Sequence, residues 1–205
     1  MLDPAEAAAV AEQFGVSDEQ VRRDHLLSHL LAVLSQRLPD AVVFFGGTAL
    51  ARTHLPDGRL SEDLDLLAVT QRAEIVDDVE AALATGMLRE FGRLTWDPPL
   101  SAVKDTVPAV LRTHEGLIVR VQLLGPAGQS AWPTEHRPLH QRYSDAPPAD
   151  LKVPVLPALA ASKTAAWHDR HSVDRPASPL RRPRRLPSCA THGRRHGGGR
   201  RSPFP

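Results

Sequence analysis

Apolar residues recur at helical spacing from the start of the chain. Pro4 and the alanine-rich run Ala5 to Ala11 predict a short first helix that ends at Gly15. Ser17 followed by Gln20 is a capping-box pattern, and Leu27, Leu30, Leu31, Leu34 and Leu38 come after it at intervals of three and four. A long amphipathic helix over residues 18–37 follows from that spacing. Its polar side carries Arg22, Arg23, Asp24 and His25, which are expected to face solvent, as is His29. Beyond Pro39-Asp40 the β-rich run Ala41 to Phe45 leads straight into Gly46-Gly47-Thr48 and the helix-prone Ala49-Leu50-Ala51-Arg52, the pattern of a strand, a glycine turn and a helix. Pro56-Asp57-Gly58 predicts a turn. Leu64, Leu66 and Ala68 then alternate with Asp63, Asp65 and Leu67, a strand pattern that puts the two acids on one face. A helix over 71–91, a strand over 117–124, a loop-rich connector over 126–148 and a helix over 156–170 complete the ordered pattern.

Composition changes this picture mainly at the C-terminal end. A chain of 205 residues with 41% apolar and 24% charged residues suits one soluble globular unit. No apolar run approaches the roughly 20 residues of a membrane span, and the acidic start MLDPAE lacks the basic and apolar regions of a signal peptide. A cytoplasmic protein without membrane contact is expected. The single cysteine, Cys189, supports neither an internal disulfide nor a thiolate zinc site. Residues 1–174 hold 24 acids against 16 Lys and Arg, a net charge of −8, whereas residues 175–205 hold nine Arg and no acid. The basic segment has no periodicity and too few apolar side chains to offset its ordering entropy, so it is expected to be disordered. The predicted organisation is a helical region at 1–40, a central core at 41–128, a connector and the start of a helical region at 129–174, and the Arg/Pro-rich tail at 175–205.

The stretch with chemical content runs from Gly46-Gly47-Thr48 to Arg59-Leu60-Ser61-Glu62-Asp63-Leu64-Asp65. A glycine turn at a helix N-terminus offers free backbone N–H groups to a phosphate. Alternate strand carboxylates facing it can share hard divalent cations with nucleotide phosphates. Each motif alone also occurs as ordinary structure; in this order they form a phosphate cradle facing a magnesium site. His136, His140, His168 and His171 lack a compact ligand pattern and read as surface or structural residues, and Trp96, Trp132 and Trp167 as core or rim residues.

At these residues the chain resembles the nucleotidyltransferase superfamily, and the segments FFGGTALARTHL and RLSEDLDLL resemble the AbiEii/AbiGii toxin family of abortive-infection and type IV toxin–antitoxin systems. Val153-Pro154, Leu159-Ala160-Ala161-Ser162-Lys163 and Asp169-Arg170 are similar to the family's Lys-bearing helix. The resemblance implies an α+β nucleotidyltransferase fold, a small mixed sheet flanked by helices, with N-terminal helices and a truncated C-terminal helical part. It implies that Gly46, Gly47, Thr48 and Arg59 hold the triphosphate and that Asp63 and Asp65 bind Mg2+. Ser61 corresponds to the family's active-site serine, and Lys163 balances phosphate charge. The implied activity is transfer of a nucleotide from an NTP to an acceptor RNA, the tRNA 3′ end, blocking translation under the control of a cognate antitoxin. Two departures matter. Gln122 aligns with the third carboxylate of many nucleotidyltransferases, with Glu115 as the alternative acid, and the helix that should follow Asp169, Arg170 and Asp174 is replaced by the basic tail. A non-catalytic nucleotide- or RNA-binding remnant and an antibiotic-modifying nucleotidyltransferase are the alternatives.

With 22 Arg against three Lys and no Asn, the chain has the bias of a GC-rich coding sequence, and the tail has the composition of a wrong frame. The hypothesis is a frame lost near Val173. Sequencing the locus tests it: a one-base correction should open a continuation with helical periodicity, and the absence of one refutes it.

Overall fold

The computed structural model describes residues 1–126 and 132–172, the side chains of Ala166 and of residues 169–172 excepted. The predicted tail, Cys189, Asp174 and the side chains of Asp169 and Arg170 lie outside the described residues. Helix α1 (Pro4–Phe14) is capped by the Asp3 carboxylate, which accepts from the backbone N–H groups of Ala5 and Glu6. Helix α2 (Asp18–Arg37) begins with the expected reciprocal capping box between Ser17 and Gln20. Next come strand β1 (Val42–Phe45), helix α3 (Gly46–Thr53), strand β2 (Asp63–Ala68) and helix α4 (Arg72–Thr85). Strands β3 (Thr95–Trp96), β4 (Ala109–Arg112), β5 (Ile118–Leu124), β6 (Thr134–Pro138) and β7 (Asp150–Pro154) precede the last helix, α5 (Leu156–Ser172).

The seven strands form one mixed sheet in the order β3-β4-β5-β2-β1-β7-β6. Strand β2 is central, antiparallel to β1 and parallel to β5. The register explains the layering. Leu64 and Leu66 of β2 lie beside Val121 and Leu123 of β5, Phe44 of β1 pairs with Leu66, and Ala109 of β4 pairs with Val121. All of these are fully buried in one cluster with the leucines of α2 and with Val79 and Leu83 of α4. Because strand side chains alternate, the residues between them point the other way, so Asp63, Asp65, Arg120 and Gln122 share the opposite face. A smaller cluster of Val10, Val21, Leu60, Tyr143 and Ala146 holds α1 against α2.

Three expectations are corrected. The solvated face assigned to α2 is buried at Asp24, His25 and His29, because the loop through Tyr143 and Asp145 covers that side; Arg22 remains half exposed. The helix expected over 71–91 stops at Thr85, with Gly86, a weak helix former, as its C-cap; a side chain at Gly86 would overlap the Val33 methyl groups of α2. The connector read as loop contains β6, whose sequence TEHRP shows no apolar alternation because it is an edge strand with little burial. Within the described residues no helix is long and apolar enough to cross a membrane.

Asp24 is the knot between these layers. Its Oδ1 accepts from Arg52 Nη2 at 2.8 Å, its Oδ2 accepts from the Tyr143 hydroxyl at 3.1 Å, and Arg142 Nη1 lies 3.6 Å from Oδ2. Arg52 also donates to the Asp24 and His140 carbonyls, so α2, α3 and the covering loop meet at one ion pair. Burial and the Asp24 charge push the Tyr143 hydroxyl far above its ordinary pKa. Arg52→Met should leave the Asp24 carboxylate buried without its principal cation and cost about 3–5 kcal/mol of stability, measured by denaturant unfolding; a loss below 1 kcal/mol would show that the pair is dispensable.

Candidate active site

The site is built where β1 ends and α3 begins. Phe45 pairs with Asp65 across the antiparallel β1–β2 ladder, so the next residue, Gly46, sits where the Asp65 side chain crosses. Gly46 has φ 83°, and a Cβ placed there would overlap Asp65 Oδ2 and lie 3.0 Å from its Cγ. Both the conformation and the contact require glycine. A Cβ on Gly47 would lie 3.3 Å from Arg59 Nη2, 3.3 Å from Lys163 Nζ and 3.8 Å from Ser61 Oγ. Two cations, a hydroxyl and a carboxylate from three separate segments thus close around two glycines. Each was expected from the sequence as a site residue.

Thr48 ties this loop to β2. Its hydroxyl lies 2.5 Å from the Asp63 carbonyl and 2.6 Å from Ser61 Oγ. A carbonyl only accepts, so the Thr48 proton goes to Asp63 and Thr48 accepts from Ser61. Asp63 is exposed and Asp65 partly buried. Burial raises the Asp65 pKa above the ordinary carboxylate range, the Asp63 charge raises it further, and Lys163 opposes both. The parallel ladder sets Arg120 beside Asp63 and Gln122 beside Asp65, and these four with Pro108 line a cleft of about 280 Å³. Gln122 therefore stands on the same face as the two acids, as its alignment with the third carboxylate required, and its amide donates to the Asp105 carbonyl. Glu115 lies in the β4–β5 turn, ion-paired to Arg22 and lining a different cleft.

The donors present fit a hard divalent cation. Asp63 and Asp65 are adjacent carboxylates whose repulsion is only partly compensated, and the neighbouring Gln122 is another oxygen donor type; oxygen-rich sets of this kind suit Mg2+. Arg120 was not singled out from the sequence. The alternation in Val119-Arg120-Val121-Gln122 puts Arg120 on the polar face, but only the β2–β5 register brings it to Asp63.

His136 bridges Asp40 and Asp150 on the sheet edge. Trp96 is half buried and donates to the Glu80 carbonyl, Trp132 packs on Phe45 with ring centroids 5.6 Å apart, and Trp167 is exposed. Among the described residues, the group with metal-ligand geometry is His25, His29 and Asp145, which the sequence pattern had placed in solvent or passed over. The helical spacing of His25 and His29 was the available signal, and it lacked Asp145.

A family model described as nucleotidyl transferase AbiEii toxin, type IV TA system, matches residues 29–184. The chain belongs to the AbiEii nucleotidyltransferase toxin family. The match takes in every element from the second half of α2 to α5, and hence both halves of the candidate site. It ends inside the segment that reads as basic tail. MenT4, a nucleotidyltransferase toxin from Mycobacterium tuberculosis H37Rv, is similar in structure, with a TM-score of 0.58 at 25% identity, covering 82% of this chain and 59% of its own. This AbiEii chain thus spans less than two thirds of that relative's length. Among curated proteins none matches it.

A carboxyl whose pKa folding has raised costs stability when ionised. The cost is absent in acid, where Asp65 is protonated in both folded and unfolded chains, and sets in as pH rises through the ordinary carboxylate range. Asp65→Asn should therefore raise the Tm of the protein in EDTA at pH 7 by a few degrees, with the gain shrinking as pH falls below that range. A Tm lowered at pH 7 would contradict the assignment of a strained acid pair.

Proposed function

We propose that this protein transfers a nucleotide from an NTP to an RNA acceptor, the tRNA 3′ end, in a Mg2+-dependent reaction that blocks translation and that a cognate antitoxin restrains. The observation that carries the reading is the convergence of Arg59, Lys163, Ser61 and Asp65 on Gly46-Gly47. Nucleotidyl transfer needs little covalent chemistry from the protein. The acceptor oxygen bonds to the α-phosphorus, the bond to pyrophosphate breaks, and the acceptor proton is released. Gly46 and Gly47 have no side chains to block the approach of phosphates to the backbone. Arg59 and Lys163 neutralise the charge of the triphosphate and of departing pyrophosphate. Thr48 holds Ser61 and the β2 backbone in register with the glycines. Asp63 and Asp65 hold Mg2+, which polarises the phosphoryl oxygens when bound. The chain's net negative body means that an RNA must be met by local cations, among which Arg59 and Lys163 stand at the site and Arg120 in the adjoining cleft.

A second reading rests on Gln122. An amide beside Asp65 cannot take the acceptor proton, so a protein that binds nucleotide without transferring it remains consistent with this site. Labelled NTPs incubated with the full chain and Mg2+, with total tRNA or an aminoglycoside as acceptor, separate the readings. The proposal expects labelled tRNA. It also expects a loss of about 10²–10³-fold or more in Asp63→Ala, with an unchanged circular dichroism spectrum. Folded protein that binds NTP and labels nothing would establish the second reading, and label on an aminoglycoside instead of tRNA would establish a small-molecule transferase. Activity retained by Asp63→Ala would refute the site.

A further inference from the structure

A second cluster of ligand-type side chains, His25, His29 and Asp145, shares no residue with the proposed nucleotide site. His25 and His29 stand one turn apart on α2 with their Nε2 atoms 3.2 Å from each other. Asp145, from the loop over α2, brings Oδ1 to 2.9 Å and Oδ2 to 3.1 Å from His25 Nε2, and Oδ2 to 3.7 Å from His29 Nε2. A tetrahedral ion bound at about 2.0–2.1 Å separates its nitrogen and oxygen ligands by about 3.3–3.4 Å. The observed triangle of 3.2, 3.1 and 3.7 Å brackets that value on all sides.

The donor and acceptor groups agree with the geometry. With His25 Nε2 as the donor, its one proton faces both the Asp145 carboxylate and the lone pair of His29. A metal ion in its place satisfies three converging acceptors at once. Asp145 Oδ2 also accepts from the Met1 amino group at 2.7 Å, which holds the carboxylate in place over the two imidazoles. Both imidazoles are buried among aromatic rings, with Phe91 5.5 Å from His25 and 5.3 Å from His29, and Tyr143 5.0 Å from His25. On its open side the cluster meets a cleft of about 270 Å³ to which His25 and Asp145 contribute, leaving room for a water as fourth ligand.

We propose that His25, His29 and Asp145 bind one Zn2+ ion that fastens the loop carrying Tyr143 and Asp145 to α2. Two imidazoles and one carboxylate are a zinc-type set, whereas the oxygen donors at Asp63 and Asp65 favour magnesium. The ion acts on stability, because the same loop supplies Tyr143 and Arg142 to the buried Asp24.

The full chain, stripped with EDTA, is titrated with Zn2+ against a chromophoric chelator, and its Tm is followed. Eight of the ten histidines lie elsewhere, so the readout is the difference between variants. The wild type should take up one equivalent more than His29→Gln, and its Tm should rise by about 5–10 °C at a hundredfold excess over Kd. Asp65→Asn should keep both responses, which separates this ion from the one at the nucleotide site. Equal uptake by wild type and His29→Gln, or a Tm that zinc does not move, would overturn the proposal. Should His29→Gln fail to fold, Asp145→Asn on the covering loop decides: loss of the equivalent supports the site, and undiminished uptake overturns it.

Discussion

Asp65 reaches across the end of β1 into the space that any side chain at residue 46 would fill. From that one approach the rest of the candidate site follows. A glycine with positive φ turns the chain out of β1 and directly into α3, which carries Gly47 and Thr48 to Ser61 and the backbone of Asp63. The antiparallel register that brings Phe45 opposite Asp65 also makes β2 the central strand, with β5 and its Arg120 and Gln122 on the far side. A larger residue at 46 would have to displace the carboxylate that gives the site its charge.

The arrangement is held in tension. Two carboxylates on one strand face repel each other, and burial of Asp65 adds to the cost of its ionisation. The apolar face of the same strand offsets this, since Leu64 and Leu66 are fully buried under α2 and α4. A strand with one greasy and one acidic face can therefore present charge without losing its place in the sheet. Function and stability are separated by the pleat, one residue apart.

Helix α2 solves a different problem. Its residues from Asp24 to Leu34 are buried on every side, which an amphipathic pattern does not lead one to expect. Polar groups there remain soluble in the interior only because each meets a partner: Asp24 meets Arg52 and Tyr143, Ser28 donates to the Asp24 carbonyl, and the histidines meet Asp145. These contacts join α2 to α3 and to a loop more than a hundred residues away in sequence, so the helix belongs mechanically to the core that carries the candidate site.

Much of the core and site was legible in the chain itself. The capping box at Ser17, the strand ending at Phe45, the alternation of Asp63 and Asp65 with buried leucines, and the helix bearing Lys163 rest on local periodicity and on turn chemistry, which act over a few residues. What sequence alone did not contain was partnership over distance. The strand TEHRP shows no pattern because an edge strand with little burial has no buried face to impose one. Arg120 and Asp145 carry no local mark of their neighbours, and Asp24, His25 and His29 read as a wet surface until the loop at Tyr143 is laid over them. Periodicity records which side of an element is apolar; whether its polar side meets water or a buried counter-charge depends on which distant segment closes over it, and that choice is made only when the chain folds.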